Sequence, residues 1–116
     1  MSLQPIPEVW LRPVCALLRT GDPAKVIFTK EGHRRWSREF PSAYRYHIEA
    51  AFLALLRTGK VYGCPVSLPF PPGTTWEFFF QFQNEKLYGK ILLTEDSQRL
   101  LILSAHRPER ATLQCE

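Results

Sequence analysis

The stretch TTWEFFFQFQNEKLYGKILLTEDSQRLLILSAHR, residues 74–107, decides the fold because it holds three runs of strand-forming residues separated by two turns. The runs TTWEFFFQF, KLYGKILL and RLLILSAHR are rich in aromatic and branched side chains, which favour strands. The first turn, QNEK, contains Asn84, which tolerates a positive φ, and the second turn is TEDSQ. The pattern predicts a meander of three consecutive antiparallel strands.

The residues before this stretch predict helices. The hexamer ALLRTG occurs at 16–21 and again at 54–59. Each copy is typical of a helix end, with good helix formers, an arginine near the last carbonyl groups, and then glycine. Helices are therefore expected over 7–19 and 42–57. The residues 30–39 are expected to form another helix.

One strand and one loop complete the predicted architecture. AKVIFT (24–29) is typical of a strand, whereas four prolines in CPVSLPFPPG (64–73) indicate an ordered loop or a sheet edge. The predicted fold class is α+β: an N-terminal helix, one strand, two helices, and then a three-stranded antiparallel meander that forms a small sheet packed on the helices. The 116 residues suit a single domain, 1–116, with one hydrophobic core.

Charge and hydropathy restrict the class of protein. The formal net charge is +4, and most of the 15 cationic side chains are arginine, whose planar guanidinium suits phosphate. This balance favours an anionic partner such as nucleic acid, an acidic protein or a membrane surface. No apolar run approaches the roughly 20 residues that span a bilayer. The N-terminus lacks the features of a signal peptide, so we expect a cytoplasmic protein.

Cysteines and histidines do not suggest a metal site or a cofactor. Cys15, Cys64 and Cys115 lie about fifty residues apart, without metal-ligand spacing, and are expected to be free thiols in a reducing compartment. His33 and His47 are as scattered as His106, and no H-E-x-x-H motif is present. We therefore expect neither a metal nor a cofactor.

Alternation in the first hairpin predicts two different faces. With the turn centred on Asn84 and Glu85, Phe82 is expected to pair with Leu87, and Gln81 with Tyr88. The expected core face then carries Phe78, Phe80, Phe82, Leu87 and Ile91. The opposite face carries Gln81, Lys86, Tyr88 and Lys90. Such a face is either an ordinary solvated surface or a functional surface that is rich in cations.

The end of the last strand extends this second face. If Leu93 opposes Leu100, then Arg107 joins Tyr88 and Lys90, and His106 points to the core side. A slip of one residue exchanges His106 and Arg107.

The helices offer further candidates. Lys30, Arg34 and Arg38 share one face of the 30–39 helix, as a solvated stripe or as contacts for nucleic-acid phosphates. A buried stripe is predicted along the 42–57 helix at helical spacing: Tyr44, Ile48, Ala51, Phe52 and Leu55. Several aromatic side chains are expected to be core or loop anchors rather than base-stacking platforms: Trp36, Trp76, Tyr44, Tyr46 and Tyr62.

The order of elements resembles the RelE/ParE-like toxins of bacterial toxin–antitoxin systems, which have a small RNase-type α+β fold. The matching pieces are VIFTKEGHRRW, PSAYRYHIEAAFLALLRTG, WEFFFQF, LYGKILL and LLILSAHRPER. The resemblance covers about residues 25–110 and leaves 1–24 as a helical N-terminal extension.

This resemblance implies a metal-independent endoribonuclease that cleaves mRNA, with or without the ribosome, and that an acidic antitoxin neutralises. Cleavage by the ribose 2′-hydroxyl requires a proton acceptor, cations at the phosphate and an acid for the leaving oxygen. The resemblance assigns proton removal to Lys90 or Tyr88, provided that neighbouring cations lower a pKa that is otherwise near 10. It assigns phosphate binding to Arg107 and the acid to His106. It assigns RNA backbone binding to Lys86. Further candidates for RNA binding are Arg110 and the stripe of Lys30, Arg34 and Arg38.

Two other functions fit the same sequence. Some family members lack RNase activity and inhibit a protein target, so a non-catalytic module that binds a protein or nucleic acid is one alternative. An accessory or immunity-type protein, in which the basic face is only solvated, is the other.

Overall fold

The computed structural model describes residues 2–116 and contains three helices and a mixed sheet. The helices are α1 (Glu8–Thr20), α2 (Lys30–Glu39) and α3 (Arg45–Leu56). The strands are β1 (Gln4–Pro5), β2 (Val26–Phe28), β3 (Tyr62–Val66), β4 (Gly73–Phe82), β5 (Glu85–Thr94) and β6 (Leu100–His106). Among these residues, no helix combines the length and apolar character needed to cross a membrane.

The prediction of a small, purely antiparallel sheet is wrong. Instead of a three-stranded antiparallel meander, six strands are arranged in the order β1-β3-β4-β5-β6-β2. The meander β4-β5-β6 forms its centre, and β2 pairs in parallel with β6. The proline-rich region also contributes, because Tyr62–Val66 pairs with β4. Pro65 is tolerated there because the two residues of β1 pair only with Tyr62 and Gly63.

The core lies between the helices and one face of the sheet. Phe52 of α3 packs against Phe78 and Phe80 of β4, with ring centroids 5.6 and 4.7 Å away. Trp36 of α2 packs against Phe82 at 5.1 Å. The buried face of α1 joins the same core and consists of Trp10, Leu11, Val14, Cys15, Leu17 and Leu18. The helix of the segment 1–24 is thus an integral part of this core.

The first hairpin turns one residue earlier than expected, which shifts the pairing register of its strands by two residues. Its loop is Gln83-Asn84, both with positive φ, and Phe82 pairs with Glu85. Phe80 therefore pairs with Leu87, in place of the expected pairing of Phe82 with Leu87. Because side chains alternate with a period of two, a shift by two residues leaves every side chain on its predicted face.

Two expectations about individual residues are wrong. Tyr44 precedes α3 in an extended conformation and is exposed, so it is not part of the predicted buried stripe. Tyr46 and Tyr62 are also exposed and do not lie in the core. Cys64 and Cys115 are joined by a disulfide and are not free thiols, whereas Cys15 is free and buried.

Candidate functional site

A β-bulge brings His106 onto the second face of the sheet. Ile91 pairs with Ile102, but the next residue, Lys90, pairs with Ser104, so the residue between Ile102 and Ser104 is extra on β6. His106 consequently lies opposite Tyr88, on the face that had been predicted to carry Arg107. The expected placement of His106 on the core side is therefore wrong.

Two rows of cross-strand neighbours make up this face. Directly paired residues project to the same side of a sheet. One row crosses four strands and consists of Cys64, Glu77, Lys90 and Ser104. The adjacent row consists of Phe79, Tyr88 and His106. The sheet thus brings a carboxylate, an ammonium, a phenol and an imidazole together.

The residues 107–116, called here the C-terminal segment, cross over this face. The disulfide joins Cys115 to Cys64 of β3. The backbone amide of Gln114 donates to Glu77 Oε1 at 3.3 Å, and Leu113 is buried. Between the segment and the sheet lies a cleft of about 390 Å³, called the sheet cleft. Its lining includes Glu77, Tyr88, Lys90, Ser104, His106, Arg35, Glu109 and Arg110.

A second depression adjoins the sheet cleft. This α2 groove, of about 330 Å³, lies between α2 and the end of β6. The short strand β2 ends at Phe28, and α2 then lies along the edge of β6. The two elements are so close that a Cβ at Gly32 would be 2.8 Å from the Leu103 carbonyl oxygen. Arg34 and Arg38 line only the groove, whereas three residues line both depressions: Arg35, Ser104 and His106.

The imidazole of His106 is held in one orientation. Its ring packs 5.0 Å from the Tyr88 ring, and its side chain is buried. Nδ1 lies 2.7 Å from the carbonyl oxygen of Arg107. Because a carbonyl only accepts hydrogen bonds, Nδ1 carries the hydrogen. In the neutral ring, Nε2 is therefore the nitrogen without a hydrogen, and it can accept a hydrogen bond.

Tyr88 does not meet the condition for acting as a base. Burial raises the pKa of Tyr88, and a hydrogen bond from its hydroxyl to Glu77 Oε2 raises it further. The role assigned to Tyr88 required nearby cations to lower this pKa. A neutral phenol that donates to a carboxylate is instead suited to passing a proton on.

The raised pKa of Tyr88 predicts a loss of stability in alkali. The pKa of this phenol is higher in the folded state than its value near 10 in the unfolded state. Its contribution to the free energy of unfolding is therefore fully present below about pH 10. That contribution is lost as pH rises toward the folded pKa. Urea unfolding between pH 9 and 11 should show a steeper decline for wild type than for Tyr88→Phe. One proton limits the difference in slope to about 1.4 kcal/mol per pH unit. Equal slopes would contradict the buried phenol–carboxylate pair.

Arg107 lies outside both depressions. Its guanidinium binds both carboxylate oxygens of Glu85, at 2.9 and 3.1 Å, and lies 4.4 Å from the centroid of the Phe40 ring. Its backbone amide donates to Glu39 at 2.7 Å. The hydrogen bond from Arg107 lowers the pKa of Glu85. Arg107 is therefore placed to hold the C-terminal segment against α2 and β5, away from the sheet cleft.

Of the remaining predicted residues, four line one of the two depressions and two do not. Lys90 and Arg110 line the sheet cleft, and Arg34 and Arg38 line the α2 groove. Lys86 and Lys30 lie outside both. Lys86 Nζ is 4.3 Å from the Phe79 ring centroid and 3.4 Å from the Ala111 carbonyl oxygen. Lys30 is the exposed first residue of α2.

Sequence reasoning missed three residues of the site. Arg35 donates to Glu39 at 3.1 Å and to Glu109 at 2.8 Å, which holds it between the two depressions. Glu77 and Ser104 enter through strand pairing. Alternation along β4 already placed Glu77 on the face of Gln81, which was the available signal. No feature of the sequence indicated the bulge that brings Ser104 onto this face.

Comparison of the chain with models of protein families, with curated proteins and with solved structures finds no match. The resemblance to the RelE/ParE-like toxins thus stays a prediction from the sequence. Within residues 2–116, no three histidine, cysteine or acidic side chains are grouped so that they could hold a metal ion.

Proposed function

We propose that this chain is an endoribonuclease that cleaves RNA by attack of a ribose 2′-hydroxyl on the adjacent phosphate. One observation carries the proposal: His106, whose Nδ1 is held by the Arg107 carbonyl oxygen, lies where the sheet cleft meets the arginine-lined α2 groove. A proton-transfer group beside several cations is what this reaction requires.

The proton acceptor in this mechanism is Glu77, reached through Tyr88. The 2′-hydroxyl proton passes to the Tyr88 oxygen while the Tyr88 proton passes to Glu77 Oε2, to which it is already hydrogen-bonded. Tyr88 stays neutral throughout, as its raised pKa favours. The 2′-oxygen then forms a bond to phosphorus.

Cleavage is completed by His106. Its Nε2–H donates a proton to the leaving 5′-oxygen as the bond between that oxygen and phosphorus breaks. The products are a 2′,3′-cyclic phosphate and a 5′-hydroxyl. Proton exchange with water then restores Glu77 and His106. Lys90, Arg110 and Arg35 stabilise the additional negative charge that develops on the phosphoryl oxygens.

The biological role that we propose follows the sequence resemblance. The chain acts on mRNA in the cytoplasm as the toxin of a toxin–antitoxin pair. An acidic antitoxin covers Arg34 and Arg38, which are exposed on α2. The net charge of +4 supports both an RNA substrate and an acidic protein partner.

A non-catalytic RNA-binding module is the second candidate. It is favoured by the ion pairs of Arg35 with Glu39 and Glu109, which partly neutralise a cation that the reaction needs. In that case the α2 groove binds the RNA backbone, and the sheet cleft carries out no chemistry.

Mapping RNA 5′ ends after brief induction in cells separates these functions. Wild type should produce new ends and slow growth, whereas His106→Asn should produce neither. His33→Asn is the matched control, because His33 is an exposed histidine on α2 outside both depressions. Equal sets of ends from wild type and His106→Asn would contradict the proposed site. Intact RNA that co-purifies with wild type would support the non-catalytic module.

A further inference from the structure

Three aromatic rings form an exposed stack where α3 begins. The rings belong to Tyr44, Tyr46 and His47, and this group is called the aromatic stack. Tyr46 and His47 have centroids 4.2 Å apart, and Tyr44 lies 5.7 Å from Tyr46 and 5.9 Å from His47. The two tyrosines remain 66% and 63% exposed. An exposed group of large rings is more informative than a single exposed side chain.

The rings are arranged to receive another flat ring. The planes of Tyr44 and Tyr46 differ by 12°, and those of Tyr44 and His47 by 24°. Near-parallel exposed rings offer a π-face on which a nucleobase stacks, as in proteins that bind single strands.

The stack is also held in place before any ligand binds. The backbone amide of Tyr44 donates to His47 Nδ1 at 2.9 Å, which fixes the imidazole. The hydrogen of the neutral ring then resides on Nε2, where it is a donor for a base edge. Because the rings are already ordered, binding costs little additional side-chain entropy.

The stack lies within reach of the cations of α2. Tyr44 follows Arg38 by six residues, so their Cα atoms are at most about 22 Å apart. A single strand of several nucleotides, which is an ordinary length for a single-strand binding site, covers that distance. We propose that the aromatic stack binds unpaired bases of single-stranded RNA whose phosphates lie along Arg34 and Arg38. This proposal rests on the proposed RNA-directed function and adds a site for the bases of the same strand.

The test is binding of a fluorescein-labelled 12-nucleotide RNA, measured by anisotropy in a His106→Asn background so that the RNA stays intact. Replacing Tyr44 and Tyr46 together with alanine should weaken binding at least about ten-fold, since each stacked base contributes appreciably. Replacing both with phenylalanine should preserve binding, because stacking needs only the ring. Tyr62→Ala is the matched control, since Tyr62 is a 59% exposed tyrosine on β3.

An abasic oligonucleotide of the same length tests the role of the bases. It should bind more weakly than RNA and should not distinguish wild-type tyrosines from the alanine variant. RNA binding that is salt-sensitive but unaffected by the two alanines would overturn the base-stacking site, and would leave the RNA-directed function standing. No RNA binding by the His106→Asn parent or by wild type would overturn both. Stack-dependent binding without any cleavage would support the site and contradict the nuclease.

Discussion

Replacing His106 with asparagine should slow RNA cleavage by a factor of about 10² to 10⁴, the usual contribution of a positioned acid or base. The asparagine amide can still donate to the Arg107 carbonyl oxygen, so the local hydrogen bond that Nδ1 makes is retained. It cannot gain or lose a proton at the position of Nε2. The expected result is a lower kcat with an unchanged KM, because only the transition state loses an interaction.

The measurement is single-turnover cleavage of a labelled RNA by purified protein. His106→Gln is a second variant, because its amide extends to the Nε2 position and can hydrogen-bond there without titrating. Both variants should bind RNA like wild type, and urea unfolding should show that both are folded under the assay conditions. If His106→Asn cleaves at the wild-type rate, His106 is not the acid and the proposed mechanism is wrong.

Breaking the disulfide should produce the largest loss of stability. Cys64 and Cys115 are separated by 51 residues, and a cross-link over a loop of that length reduces the entropy of the unfolded chain by an amount equivalent to about 4 kcal/mol. Reduction takes two electrons and two protons from a dithiol and yields two thiols. The C-terminal segment then keeps only non-covalent anchors. Near its start these are the ion pairs of Arg107 with Glu85 and of Glu109 with Arg35. Near its end they are buried Leu113 and the hydrogen bond from the Gln114 backbone amide to Glu77.

Urea unfolding with and without dithiothreitol measures this effect. Wild type should lose about 4 kcal/mol on reduction. The double variant Cys64→Ser/Cys115→Ser should be insensitive to the reductant. It should also be no less stable than Cys115→Ser alone, because the bond and not either sulfur carries the effect. Wild-type stability that is unchanged by complete reduction would contradict the cross-link.

The faces of the sheet could be predicted from the sequence, although the pairing was not correct. A two-residue shift in the first hairpin leaves Phe78, Phe80 and Leu87 on the core side and Tyr88 and Lys90 on the other. The position of His106 depended instead on the bulge in β6. Alternation assumes that every residue has one partner, so a single extra residue exchanged His106 and Arg107.

Long-range pairing explains the other differences. The parallel contact of β2 with β6 joins Val26 to Leu100, and nothing local in a three-residue strand indicates its partner. The disulfide likewise depends on the path of the C-terminal segment across the sheet. Tyr44 was misassigned for a local reason. Helical spacing placed it in the buried stripe of a helix predicted from residue 42, but α3 begins only at Arg45, one residue after Tyr44.

The most direct test of the proposed site is the chemistry of the RNA ends made by purified protein in excess EDTA. Wild type should cleave under these conditions and leave 2′,3′-cyclic phosphates and 5′-hydroxyls, and His106→Asn should leave the RNA intact. Cleavage that stops in EDTA, that leaves 5′-phosphates, or that persists in His106→Asn would contradict transesterification by the groups around His106.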